Sequence, residues 1–155
     1  MAKRGIIACM DSEAFSKLAY EMWDNVPSPY KERIVNVALL VEDAPTDAEL
    51  VEEGVEEGTL LGIYRGIPNT ERGEGYGIGM TLPDTITLYR LPILDEARED
   101  LHGEETFDEA IRRVTAETLW HEVGHYFGLT EEEIHQREKE GTNAFKGGQG
   151  SSSGI

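Results

Sequence analysis

Cysteine is almost absent. Cys9 is the only one in 155 residues, which excludes an intramolecular disulfide and removes thiolate-rich zinc sites from consideration. Any metal must therefore use nitrogen and oxygen ligands. Long apolar runs are missing as well: Ile6 to Met10 is too short for a signal-peptide core, and no later stretch approaches a membrane span. The expectation is a soluble, cytoplasmic protein. Basic residues are scarce, 14 against 31 acidic, for a formal charge of −17. A field of that sign repels nucleic acid and anionic lipid, so neither is expected as a partner, whereas cations and basic peptide segments are favoured. For most of the carboxylates a solvated surface is reason enough.

What is present fits one domain with a single core. Residues 1–10 read as an N-terminal tail, 11–140 as the domain, and 141–155 (GTNAFKGGQGSSSGI) as a flexible C-terminal tail by composition. Asp11 can cap a helix with Phe15, Leu18, Ala19, Met22 and Trp23 on one face, and Pro27 and Pro29 stop it. The continuous, β-branched run Ile34 to Val41 predicts a strand buried on both faces, central in a sheet. Thr46 with Glu49 opens a short helix, Thr59 to Tyr64 forms the next strand, and Thr85 to Tyr89 forms another. Pro92 suits the first turn of a short helix over 93–100. Between the last two strands, GEGYGIG from Gly73 lacks the lysine and the following helix of a phosphate cradle and reads as a mobile loop able to form a rim or flap.

The chemistry concentrates in WHEVGHYFGLTE, Trp120 to Glu131. A capping box at Thr106 and Glu109 starts a long helix that Gly128 ends. On it His121 and His125 project from one face a turn apart, close enough to share one metal ion, and Glu122 supplies the carboxylate that H-E-x-x-H hydrolases use as general base. The bland alternative is an ordinary amphipathic helix whose histidines do nothing. Gly124, costly inside a helix, suggests another backbone or a substrate passing close. Beyond Gly128, Thr130 and Glu133 form a further capping box, placing Glu131 in the first turn of a last helix. Glu131 is the first candidate for a third ligand, with His135 and Glu132 as rivals. His102, in a polar loop, is more simply an exposed histidine than a distant ligand.

The segments NVALLVEDAP, LLGIYRGIPNTERGEGYG, LPDTITLYRLPIL and ETLWHEVGHYFGLTEEEI, in this order, resemble the small bacterial zincin-like metallopeptidases, the minimal zincins, over about Phe15 to Ile134. The resemblance implies a compact α+β fold, a small mixed sheet packed on helices with an HExxH helix, and a metal-dependent peptidase. Carried over by position, His121 and His125 are metal ligands, Glu122 is the general base, and residue 131 supplies the third ligand. The family commonly has aspartate there; Glu131 keeps a carboxylate one methylene longer. The acidic stretch Asp47 to Glu57 is also longer than the family's usual connection.

One Zn²⁺ per chain on three protein ligands would leave a fourth position for water. In zincins the strand before the metal helix lies at the sheet edge and pairs with extended substrate, and by position that strand is Thr85 to Tyr89. Tyr76, Tyr89 and Arg90 are the candidates for oxyanion support near the cleft. A shallow cleft in so small a domain suits a peptide or unfolded protein as substrate. Two rivals remain: a non-catalytic binding module using the same cleft, and a hydrolase of a non-peptide amide. Oligomeric state is not legible in the sequence.

Overall fold

The computed structural model describes residues 10–76 and 82–141. The expected tails, apart from Met10 and Gly141, and residues 77–79 of the glycine-rich loop lie outside the described residues. The fold is α+β. Its elements are α1 (Ser12–Asp24), a one-turn α2 (Ser28–Lys31), β1 (Val37–Glu42), α3 (Asp47–Glu52), β2 (Gly62–Arg65), β3 (Asp84–Tyr89), α4 (Arg90–Glu99), α5 (Phe107–Tyr126) and α6 (Glu131–Glu140). Among the described residues no helix is long and apolar enough to cross a membrane.

Local chemistry accounts for the helix starts. The Asp11 carboxylate accepts from the Ala14 N–H at 2.8 Å and caps α1. Thr46, Thr106 and Thr130 cap α3, α5 and α6 through reciprocal boxes with Glu49, Glu109 and Glu133. Four of the excess acids thus satisfy helix-terminal N–H groups rather than merely solvating the surface.

The sheet corrects the predicted strand order. It runs β1-β3-β2, with β3 in the middle, parallel to β1 and antiparallel to β2. The apolar run of β1 lies at an edge: Leu39 is buried while Leu40 is 40% exposed. Conversely, the alternating β3 is buried on both faces, because the ring of Tyr89 and the methyl of Thr87 fit the interior as well as Ile86 and Leu88 do. Continuous apolarity and alternation therefore misassigned centre and edge.

Helix α5 is the spine of the core. Ile111, Val114, Leu119 and Val123 pack with Phe15 and Leu18 of α1, Ile86 and Leu88 of β3, and Ile93 and Leu94 of α4. Strand β2 comes unusually close to it. A Cβ on Gly62 would lie 2.8 Å from the Thr118 methyl and 2.9 Å from the Thr87 carbonyl oxygen, so only glycine lets this strand settle one turn before His121.

A buried ion pair ties the sheet to the far end of α5. Arg72 Nη2 donates to Asp84 Oδ2 at 2.7 Å, with side chains 8% and 4% exposed. The same oxygen accepts from the Tyr64 hydroxyl and the Ile67 N–H. The guanidinium also donates to the carbonyls of Ile67 and Val35 and lies over the rings of Tyr76 and Tyr126. Removing one partner strands the other charge, so Arg72→Ala should lower stability by about 3–5 kcal/mol in urea unfolding. Arg65→Ala, which removes exposed pairs with Glu49 and Glu52, should cost at most about 1 kcal/mol.

Candidate metal centre

The site is assembled by a chain reversal. Helix α5 carries His121 and His125 with ring centroids 5.3 Å apart. It ends in a Schellman turn, in which the Gly128 N–H donates to the His125 carbonyl at 2.9 Å and the Leu129 N–H to the Gly124 carbonyl at 3.0 Å. Gly128 adopts φ +90°, and a Cβ there would also strike the Thr70 side chain. The reversed chain enters α6, whose Ile134 is fully buried. Its δ carbon sits where a Cβ on Gly124 would lie only 3.0 Å away. Gly124 therefore admits a side chain of α6, not the backbone or substrate expected from sequence.

Docked this way, α6 brings Glu131 in front of both imidazoles. His121 Nε2 lies 2.9 Å from Glu131 Oε2 and His125 Nε2 lies 2.9 Å from Oε1. The opposite ring nitrogens also face acceptors: Glu138 Oε2 at 2.8 Å from His121 Nδ1, and the Leu129 carbonyl at 3.1 Å from His125 Nδ1. Each neutral imidazole owns one N–H but meets two acceptors. The donors do not balance unless the rings are protonated or a cation lies between Nε2 and Glu131. With Nδ1–H held by Glu138 and by Leu129, both Nε2 lone pairs are aimed at that point, the orientation of metal-binding histidines. The residues thus fit a divalent ion of the kind that nitrogen and oxygen ligands hold.

Electrostatics point the same way. Burial works against a charge on His121, but the hydrogen bond to Glu138 and the charges of Glu122 and Glu131 outweigh it and raise its pKa. Burial opposes ionisation of Glu131 too, yet the two imidazoles and their hydrogen bonds hold its carboxyl below the usual range. Glu122 is buried, 7% exposed, and burial pushes its carboxyl up to about 7 against the pull of His121 and His125. The backbone amide of Tyr64 in β2 weakly opposes that rise. A bound dication would return Glu122 to the ionised form.

Two adjoining cavities flank this point, of about 310 and 510 Å³. They share Gly62, His121 and Glu122 in their walls. The smaller adds Val114 and Thr118 with Glu96, Glu117 and Glu138; the larger adds Ile63 and Tyr64 of β2, His125 and Glu131. Among the described residues, no lysine or arginine lines either cavity.

Other residues singled out in the sequence lie elsewhere. Tyr89 is wholly buried in the core, Arg90 donates to Asp43 and to the Met10 carbonyl, and Tyr76 accepts from Asn36 and stacks on Arg72. None of the three lines the cleft, which removes them as oxyanion donors. His102 pairs with Asp100, whose carboxylate also meets Arg113 of α5, and it lines neither cavity. Glu132 is exposed, and it is Glu131 that meets the imidazoles. His135 Nε2 lies 3.4 Å from Glu131 Oε2. Sequence reasoning missed Glu138, although it falls seven residues after Glu131 and so on the same face of α6. The strand from Thr59 to Tyr64 was expected, but not that β2 lies at the edge beside the site, since its short GIYR run gives no sign of that position.

A model of a family described as zincin-like metallopeptidase matches residues 34–141, from the approach to β1 through the end of α6. No curated protein matches the chain.

Two outcomes follow from the geometry. Zn²⁺ binding near neutral pH should release protons, since the raised pKa values of His121 and Glu122 leave protons there for the cation to displace. Apparent affinity should therefore fall as pH drops through about 7, which calorimetry in buffers of different ionisation enthalpy would register. Glu138→Gln, which weakens the acceptor behind His121, should lower Zn²⁺ affinity about 10–100-fold in a chelator competition.

Proposed function

The chain belongs to the zincin-like metallopeptidases, and from that premise we propose that it hydrolyses peptide bonds with one Zn²⁺ held by His121, His125 and Glu131 and with Glu122 as general base. The observation that carries this reading is the convergence of the imidazoles and a buried carboxylate on the outer edge of β2. When bound, zinc supplies Lewis-acid polarisation of the scissile carbonyl and lowers the pKa of water toward neutrality. Glu122 takes a proton from the attacking water and delivers it to the leaving amine, returning to its starting state. Its burial keeps competing water away, and the backbone amide of Tyr64 favours its ionised form.

Strand β2 takes the role expected of β3, the bed for an extended substrate. The Tyr89 N–H donates to the Leu61 carbonyl, and the register pairs Ile63 with Thr87 and Arg65 with Thr85. By the alternation of an antiparallel ladder, Gly62 and Tyr64 then direct their backbone groups away from β3. That leaves the outward N–H and carbonyl groups of Gly62 and Tyr64 for a peptide strand. An open, two-lobed cleft of this kind suits unfolded or extended chains. Its glutamate-lined walls favour lysine or arginine near the scissile bond.

The test uses Glu122→Gln on the full chain. Zinc should remain at one per chain by elemental analysis while kcat/KM on an unfolded protein substrate falls by about 10²–10⁴; unchanged turnover would refute the base. Peptides with lysine beside the scissile bond should be cut on the order of tenfold faster than glutamate counterparts at low salt, with the difference shrinking as salt is added.

A further inference from the structure

We propose that His135 is a fourth, exchangeable ligand of the metal, so that the resting centre is closed by the protein itself. This rests on the reading of His121, His125 and Glu131 as a metal centre, and adds to it a control on access. Glu131 and His135 are four residues apart on α6, as His121 and His125 are on α5. Each helix therefore turns one i, i+4 pair toward the other. His135 Nε2 lies 3.4 Å from Glu131 Oε2, the same oxygen that His121 Nε2 approaches at 2.9 Å. Ligand atoms of His121, Glu131 and His135 all lie within 4.8 Å of one another, and the rings of His121 and His135 are 5.7 Å apart. Donors around a tetrahedral zinc at about 2.0–2.1 Å stand about 3.3–3.5 Å apart, a difference that side-chain rotation can close.

His135 differs from the other two imidazoles in how it is held. His121 and His125 are 19% and 27% exposed and have acceptors fixing Nδ1. The His135 side chain is 63% exposed, and among the described residues its polar contact is Glu131. Among the described residues, its ring contact is with His121, on the side of the centre. Zinc with four protein ligands is the arrangement of structural sites, and zinc with three is that of catalytic sites. Here the difference is one surface side chain on a helix already docked through Ile134, so the centre opens without backbone movement. The consequence is a latent site that substrate, or a competing small ligand, must open by displacing His135.

The full chain loaded with Co²⁺, wild type beside His135→Ala, decides the matter. Position 135 is exposed and helical, and alanine preserves both the helix and the other ligands. Wild type should show the strong visible absorption of four-coordinate cobalt and respond weakly to added azide. In His135→Ala the band should change in position and intensity and respond to azide at lower concentration, and Zn²⁺ affinity should fall about tenfold or more. Metal bound by both proteins with the same spectrum, azide response and affinity would overturn the fourth ligand while leaving the three-ligand centre standing. Absence of bound metal in wild type would overturn both.

Discussion

The buried ion pair between Arg72 and Asp84 joins parts of the chain that must be held in register for the site to exist. Asp84 opens β3, and Arg72 lies in the loop between β2 and β3. The guanidinium reaches the Val35 carbonyl ahead of β1 and the Tyr126 ring at the end of α5. The Tyr64 hydroxyl donates to the same carboxylate oxygen, so the ion pair anchors the edge strand whose Gly62 and Tyr64 share a cavity wall with Glu122. Desolvating two charges is expensive, and the surrounding donors and acceptors offset that cost by leaving neither group unsatisfied.

With β2 fixed, the centre is a balance among acids and imidazoles. Three glutamates, Glu122, Glu131 and Glu138, surround His121 and His125 in a corner whose cavities lack cationic side chains among the described residues. Without a cation, the fold meets that excess by raising the pKa of His121 and Glu122, in effect holding protons where a dication would sit. Metal binding and proton release are two descriptions of the same compensation. The overall acidity of the chain therefore has at least three separate uses: capping helices, solvating the surface, and shaping the potential of the cleft.

Much of the site was legible because it is local. Residues His121, Glu122 and His125 lie within five positions of one helix, and Glu131 follows a glycine-terminated turn and a capping box whose chemistry is written in adjacent residues. The strands were found but ranked wrongly. Apolar pattern reports how much of a strand is buried, and threonine and tyrosine can be buried as fully as isoleucine, so TITLY at the centre looked like an edge. Tyr76, Tyr89 and Arg90 were candidates by sequence position alone; Tyr76 and Arg90 are engaged with partners outside the cleft, and Tyr89 is wholly buried in the core.

The longer helices, their threonine caps, the HExxH pair and the reversal at Gly128 could be read from the chain, because each depends on residues within a turn or two of one another. Tertiary structure alone decided that β2 flanks Glu122, that Ile134 fills the space over Gly124, and that Glu138 and the Leu129 carbonyl fix the two rings. Those relations are distances between segments remote along the chain or around a turn. They are set by how side-chain volumes and buried charges fit together when the elements dock, which no periodicity of a single segment encodes.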